Sequence, residues 1–310
     1  MLTRPETAED VLSTTLATMR LDAVGTSTIE ANGRWALALP GVPVVRLHVV
    51  LAGQCWLAID KTKVQLRAGD CFLAPHAKPL LIASDLSIKK PTPLPQAIRS
   101  TDGGVLRIVC NDGGDLFIAG SAFRLQGHFQ DIVFGQLPSV IHIPSHLDQA
   151  AVLRWGIERL AAEVRSVQPG RALMLRHLAP MMLLQTLRSY ISSGGDHRNW
   201  FAALSDERLA RALAVMHADP ARAWSLESLA KVAGLSRAGF ALNFKKWVGI
   251  TPLEYLTQWR VQVARELLSD GDRRIAEVAN AVGYESESAF STAFTRIVGE
   301  RPGHYRANHA

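Results

Sequence analysis

The spacing of hydrophobic residues changes along the chain. Between residues 33 and 145, short apolar runs alternate with turns rich in Gly, Asp and Pro, and the run 42–50 is rich in β-branched residues. This pattern predicts short strands in a small barrel or sandwich. From 146 to 192 the apolar residues recur at helical spacing, with a Gln-Pro-Gly break at 168–170. A pair of helices is therefore expected to follow the strands.

A second pattern occurs twice near the C-terminus. In each copy a short amphipathic helix ends at a Gly, a tight turn follows, and a Ser begins a second helix with two Phe residues four positions apart. The residues that define the two copies are Gly234, Ser236, Phe240 and Phe244, and then Gly283, Ser286, Phe290 and Phe294. The second turn is one residue longer. Each copy is predicted to be a helix-turn-helix, and two such units suggest a grip on successive segments of a DNA groove.

One long helix is predicted to join the two copies. Thr251 can cap its first turn, Pro252 suits the first helical position, and Glu254 can bond back to the cap. The apolar pattern continues to about Leu268. We expect such a stiff joint to set the relative placement of two DNA-binding units better than a flexible linker would.

Composition and charge narrow the class of protein. The chain has 310 residues, 48% of them hydrophobic, which is enough for about two globular domains. The net charge is +6, yet the stretch from residue 201 onward carries 14 Lys and Arg against 12 Asp and Glu. DNA binding would therefore depend on where the charges lie. The N-terminus lacks an apolar signal core, and the most apolar helical stretch, 178–187, is too short to span a membrane. A cytoplasmic location without membrane association is expected.

The three cysteines, Cys55, Cys71 and Cys110, form neither a CxxC pair nor a metal-binding spacing. The simpler interpretation is that they are reduced and at least partly buried thiols. The alternative is an oxidation switch, which would require an exposed sulfur with a low pKa.

The segment 224–306 resembles the AraC/XylS family of bacterial transcription regulators. The resemblance rests on the doubled pattern, on Gly-Ile-Thr-Pro-Leu-Glu-Tyr-Leu at 249–256, on Trp259-Arg260, and on Ile-Ala-Glu-Val-Ala at 275–279. It covers about a third of the chain. It implies two recognition helices, one DNA turn apart, that enter adjacent major grooves on one side of the duplex.

The resemblance also indicates which residues contact DNA. On the first recognition helix, 236–246, the base-reading positions carry only apolar side chains, which can touch thymine methyls or sense groove shape. These positions are Ala238, Ala241 and Leu242, and the polar candidates around them are Ser236, Arg237, Asn243, Lys245 and Lys246. On the second helix, 286–297, the corresponding candidates are Ser286, Glu287, Ser288, Ser291 and Thr292, with Arg296 and Arg306 as phosphate anchors. Because charged base readers are scarce, we predict modest affinity, strong salt dependence and a need for dimers or several half-sites.

The N-terminal part resembles the cupin-type sensor domains fused to many members of this family, through motifs around Gly53, Gly69 and His76. Enzymatic cupins bind a metal through His and Glu ligands, but Arg46 and Leu80 occupy two of those positions here. A cupin-type metal enzyme is therefore only an alternative, and neither a metal nor another cofactor is expected. A small barrel can enclose one ligand, and His48, Trp56 and His76 are the candidates to contact it.

Together these patterns predict a multidomain α+β protein, with a cupin-like β-barrel and helical pair followed by an all-α double helix-turn-helix domain. The predicted boundaries are a sensor barrel at 1–145, a helical pair at 146–192 for packing or dimerisation, a linker at 193–205, and a DNA-binding domain at 206–310. The predicted function is regulation of transcription on double-stranded promoter DNA by a homodimer that responds to a small-molecule or stress signal. Activation and contact with RNA polymerase are further expectations.

Overall fold

The computed structural model describes residues 10–19, 21–102, 104–125, 127–146, 151–166, 168–193, 198–270 and 273–309. By their contacts these residues form two compact units. The sheet unit contains the described residues of 21–125 and 137–193. The helical unit contains those of 1–20, 126–136 and 194–310.

Short strands dominate the sheet unit, as the alternating runs predict. The strands are β1 (Asp22–Ala31), β2 (Ala36–Leu39), β3 (Val45–Ala52), β4 (Gln54–Ile59), β5 (Thr62–Arg67), β6 (Cys71–Ala74), β7 (Leu80–Ala83), β8 (Thr92–Pro93), β9 (Ile98–Asp102), β10 (Val105–Cys110), β11 (Leu116–Arg124) and β12 (Ile141–Ile143). They form a seven-stranded sheet in the order β12-β6-β3-β11-β1-β10-β9 and a five-stranded sheet in the order β5-β4-β7-β2-β8. One apolar core contains alternate residues of both sheets, including Ile29, Leu57 and Ile118.

The helices complete both units. They are α1 (Val11–Thr18), α2 (Leu94–Ala97), α3 (Gln130–Phe134), α4 (Ala151–Arg165), α5 (Arg171–Ser192), α6 (Trp200–Ala203), α7 (Glu207–Ala218), α8 (Leu226–Ala233), α9 (Arg237–Val248), α10 (Pro252–Ser269), α11 (Ile275–Ala281), α12 (Glu287–Val298) and α13 (Pro302–His309). The predicted fold class is confirmed: a sheet-rich cupin-like domain precedes an all-helical domain with two helix-turn-helix units.

The predicted helical pair corresponds to α4 and α5, which pack against each other and against the seven-stranded sheet. Gly170, with a φ of 87°, precedes α5 at the predicted break. The pair also leaves apolar side chains in solvent: Trp155 is 55% exposed and Leu173 is 49% exposed. Intradomain packing therefore accounts for one part of its apolar surface but leaves another part uncovered.

The helical unit draws on three separate parts of the sequence. Helix α1 contacts α7 and α10, and the Gln262 side-chain amide donates to the Thr18 carbonyl at 2.8 Å. The segment 127–136 contributes Phe129, whose ring is 1% exposed. The helical unit thus contains residues that lie far apart in the sequence. The domain boundaries predicted from the sequence stay a prediction. The predicted linker residues 194–197 lie outside the described residues.

In the described part of the chain, no helix combines the length and the apolar character that crossing a membrane requires.

Candidate nucleic-acid interface

Helix α9 is the first candidate recognition helix. The Ser236 hydroxyl caps it by accepting from the Gly239 amide at 3.2 Å, and Phe240 and Phe244 are fully buried on its inner side. The opposite side faces solvent, where Leu242 is 72% exposed. A leucine this exposed contributes little to the core. It suits apolar contact with a groove.

The other predicted residues of α9 also lie outside the core. Ser236, Arg237, Ala238, Lys245 and Lys246 are exposed, while Ala241 and Asn243 are half-buried. The two lysines lie in the last turn, where their charge favours the negative end of the helix dipole. Basic side chains are thus present at both ends of the exposed face.

Helix α12 repeats this arrangement. The Ser286 hydroxyl accepts from the Ala289 amide at 3.2 Å, and Phe290 and Phe294 are fully buried. Its candidate readers Ser286, Glu287, Ser288, Thr292 and Arg296 are exposed, and Ser291 is half-buried. The face is more polar than that of α9, because hydroxyl groups stand where α9 has apolar side chains.

Two of the predicted contacts on the second copy already have partners within the protein. The Thr292 hydroxyl donates to the Ser288 carbonyl at 2.9 Å. Arg306 is half-buried, and its Nη1 donates to the Arg273 carbonyl at 3.0 Å. Arg296 is exposed, and no hydrogen bond or ion pair of its side chain occurs among the described residues. Of the two predicted phosphate anchors, Arg296 is thus the one whose guanidinium is available.

Helix α10 joins the two copies, and the predicted cap is confirmed. The Thr251 amide donates to the Glu254 carboxylate at 2.9 Å, and Pro252 occupies the first turn. Tyr255 and Trp259 are buried towards the first copy, and Ala264 and Leu268 belong to the core of the second. Because side chains at both ends of one helix are buried, the orientation of one copy constrains that of the other.

Arg260 provides a further connection between the copies. From the middle of α10, its Nε donates to the Pro220 carbonyl at 2.7 Å and its Nη2 donates to the Arg222 carbonyl at 2.9 Å. Its guanidinium carbon lies 5.7 Å from the ring centre of Tyr284, in the second turn. The sequence pattern pairs Trp259 with Arg260 but gives no signal for this bridging role, because the acceptors are main-chain carbonyls.

The second turn also lies close to the loop before α8. Gly283 has a φ of 85°, and a Cβ placed there would meet the main chain of Ala221. Gly234, the equivalent residue of the first copy, has a φ of 66°, and among the described residues a Cβ there would meet only the Arg211 side chain, at 3.9 Å. Both turns therefore require glycine for conformation, and the second also requires it for space.

Sequence reasoning missed a buried polar network beneath α9. The Tyr255 hydroxyl accepts from the Trp200 indole at 2.9 Å and lies 2.7 Å from the His217 Nε2. His217 also stacks on Trp259, with ring centres 3.8 Å apart. Burial lowers the pKa of His217 to about 3 and raises the pKa of Tyr255. The imidazole is therefore neutral at pH 7, so the Tyr255 hydroxyl can donate to it.

The candidate ligand-contacting residues of the sheet unit lie in different surroundings. His48 is 5% exposed and stacks on Phe72, with ring centres 4.9 Å apart, and burial lowers its pKa to about 3. His76 is half-buried and pairs through Nε2 with the Leu137 carbonyl at 2.8 Å. Trp56 alternates with the core residues of β4 and therefore points away from the core. Ring stacking thus engages His48, and a main-chain hydrogen bond engages His76.

The residues at the metal-ligand positions of enzymatic cupins test whether this protein could be a metal-dependent enzyme. Arg46, at a position where enzymatic cupins carry Glu, donates to the Pro40 carbonyl. Across the described residues, His, Cys, Asp and Glu side chains do not assemble into a group of three that could bind a metal ion. A metal-dependent reaction needs about that many ligands.

The three cysteines are buried and reduced. Burial raises the pKa of Cys55 and of Cys71 to about 12, and it also raises the pKa of Cys110. The thiolate is the form that oxidants attack, so protonated buried thiols react slowly. This environment supports the interpretation as structural thiols over the oxidation switch.

Two capped recognition helices thus face outward from one connecting helix, and a cupin-like domain precedes them in the sequence. These features define a DNA-binding transcription regulator of the helix-turn-helix class. Comparison with known families agrees: the Cupin family matches residues 10–192, and the Helix-turn-helix domain family matches residues 229–308. A putative AraC-like transcription regulator of Streptomyces antibioticus is 34% identical over 96% of this chain and 97% of its own. The regulator AlkR of Acinetobacter baylyi is 32% identical over 90% of this chain and 92% of its own.

The chain therefore belongs to the AraC-like transcription regulators. Its relatives are named as regulators, consistent with a protein that is not an enzyme. Among solved structures, the DNA-binding domain of AdpA in complex with a target DNA is similar. It is 31% identical to this chain and covers 33% of it and 92% of its own length, with a TM-score of 0.32.

Proposed function

We propose that this regulator binds promoter DNA by inserting α9 and α12 into successive major-groove segments on one side of the duplex. The observation that carries the proposal is the equivalence of the two helices. Each buries a pair of Phe residues and turns the opposite face to solvent, and α10 is buried at both of its ends. A reader of two half-sites needs this combination of exposed faces and a stiff joint.

The two helices would read DNA in different ways. On α9, Ala238, Ala241 and Leu242 favour thymine methyls and groove shape, with Arg237, Lys245 and Lys246 near phosphates. On α12, the Glu287 carboxylate can accept from a cytosine amino group, and Arg296 can contact phosphate. Affinity would then be modest and would fall steeply with salt.

Binding experiments with two variants test these assignments. Genomic footprinting with the full-length protein first identifies its operator. On that operator, Arg296→Ala is expected to weaken binding to all sequences and to lower the salt slope by about one, because one phosphate contact is lost. Glu287→Ala is expected to change preference at one base pair, by about 1–3 kcal/mol. Mobility shifts on a set of single-base operator variants measure both effects.

Arg34→Ala is the matched control, since it removes the same charge from an exposed position of the sheet unit. It should bind as the unaltered protein does. The assignment is wrong if Arg296→Ala and Glu287→Ala have the same profile across operator variants, or if Arg34→Ala weakens binding as much as Arg296→Ala.

The regulatory context is also part of the proposal. The sheet unit would sense a small-molecule or stress signal, and a second copy of the chain would cover the exposed apolar residues Trp155, Leu173 and Met174 of α4 and α5. A dimer would supply the additional half-sites that weak readers need. A regulator that binds chromosomal promoters must be in the cytoplasm. After operator binding, it would activate transcription through contact with RNA polymerase.

A further inference from the structure

A cleft of about 510 Å³ lies in the sheet unit between the seven-stranded sheet and the adjoining ends of α4 and α5, which contribute Val164, Arg165 and Arg171. Its floor is the face of β1, β10 and β11 that points away from the apolar core. Thr28 and Glu30 of β1 alternate with the core residues Ile29 and Ala31. The volume is within the range of about 300–1,000 Å³ found for small-molecule sites.

Charged side chains form part of the walls of this cleft. Three guanidinium groups line it, those of Arg107, Arg165 and Arg171, together with one carboxylate, Glu30. That carboxylate is fully engaged by Arg107, whose Nε and Nη2 each donate to one of its oxygens at 2.8 Å. The bidentate pair lowers the pKa of Glu30, with the hydrogen bond from Arg107 as the largest cause. The Glu30 carboxylate is therefore already paired and does not neutralise Arg165.

Arg165 is the arginine of this cleft that can bind an anionic ligand. Its guanidinium carbon lies 4.7 Å from the ring centre of Phe117, and no ion pair joins it to any carboxylate among the described residues. Contact with the ring keeps the guanidinium at the wall of the cleft, and no hydrogen bond of its N–H groups occurs among the described residues. A guanidinium held in this way matches the two oxygens of a carboxylate.

The remaining walls suit an organic body better than a bare ion. Val105, Phe117 and Val164 provide apolar surface, and the Thr28 and Ser100 side chains provide hydroxyl groups. Ligand sites in proteins usually combine a mostly apolar lining with a few directed polar groups. The cleft combines apolar and polar walls, and the helical pair contributes residues from the end of α4 and the start of α5.

We propose that this cleft binds a small organic carboxylate, with the carboxylate on Arg165 and the body against Val105, Val164 and the edge of Phe117. It is an effector site on the outer face of the sheet, separate from the core in which His48 lies. Only its regulatory meaning rests on the proposed function, because binding can be measured without DNA.

Calorimetry on the full-length protein at low salt tests the proposal, with benzoate as the probe. Benzamide, which has the same shape without the charge, and inorganic phosphate, which has the charge without the body, are the comparison ligands. Benzoate is expected to bind with saturation below about 10 mM, and Arg165→Gln is expected to weaken it about tenfold by removing a charge-assisted pair. Arg34→Gln, which alters another exposed arginine of the same unit, should leave benzoate binding unchanged.

Four results would each overturn the proposal: no benzoate binding at about 10 mM, equal binding of benzamide, binding of phosphate alone, or equal weakening by Arg165→Gln and Arg34→Gln. Operator binding is measured on the same preparations. Intact DNA binding without benzoate binding would therefore contradict the cleft alone and leave the DNA-binding proposal standing.

Discussion

The two helix-turn-helix copies have nearly the same local structure but different support. The second copy is built almost entirely from contiguous sequence: Phe290, Phe294 and Tyr305 pack with residues of α10 and α11 in one cluster. The first copy relies on distant segments. Phe129 lies 5.3 Å from the Tyr255 ring centre and 5.4 Å from that of Trp259, beneath α9.

The glycines that end α9 and α12 also differ in whether distant residues pack against them. Gly249, at the end of α9, has the Gln136 side chain directly against the position of a Cβ. At its equivalent at the end of α12, Gly299, a Cβ would meet no atom of the described part of the chain within 4 Å. A duplicated motif can therefore preserve its own helices and caps while one copy becomes dependent on residues more than a hundred positions away.

Removing the Phe129 side chain should produce the largest difference in stability between the two copies. Phe129→Ala leaves a cavity between α10 and the segment 127–136, which costs about 3–5 kcal/mol for a buried Phe. Hydrogen exchange should show weaker protection in α7 and α9 and little change in α12. His128→Ala, at the exposed neighbouring position, is the control. Equal losses in α9 and α12 would mean that the two copies unfold as one body.

Substitutions at the two turn glycines provide the next test, and here the larger loss of stability is expected in the second copy. Gly234→Ala should cost about 1–2 kcal/mol, because alanine is strained in a left-handed conformation. Gly283→Ala adds a collision with the Ala221 main chain and should cost about 2–3 kcal/mol more. Hydrogen exchange of α8 and α11 measures each effect locally. Equal costs at the two positions would show that the loop at Ala221 moves aside freely.

The smallest expected effect concerns pH and belongs to the first copy. Because the pKa of His217 is about 3 in the folded protein and about 6.5 when unfolded, the unfolded state takes up a proton first as the pH falls. Stability is thus complete above about pH 6.5 and is lost towards pH 3, with about 2 kcal/mol gone by pH 5.

His217→Gln keeps an acceptor for Tyr255 without titrating, so the difference in α9 stability between pH 7 and pH 5 should shrink. Hydrogen exchange, corrected for the intrinsic rate at each pH, measures it. His48 titrates in the same direction in the sheet unit and is unchanged by the substitution. An unaltered pH dependence of α9 would exclude His217 as its source.

Much of the DNA-binding surface could be predicted because its signals are local. A Ser cap acts within three residues, a left-handed Gly ends a helix where it stands, and two Phe residues four apart mark one helical face. These rules predicted the cap of α10, the turn at Gly283 and the exposed face of α9. They do not identify which exposed residues already have partners, as Arg306 has with the Arg273 carbonyl.

By itself, then, the sequence determined the doubled reader, its connecting helix and the family, since each depends on spacing within a few turns. Tertiary structure alone decided that Phe129 supports the first copy and that Arg260 links two main-chain carbonyls before α8 to the Tyr284 ring. It also decided that Arg165 stands over Phe117 with no acidic partner among the described residues. Burial and charge balance depend on which distant segments meet, and any buried Phe or surface Arg has the same signature in the sequence.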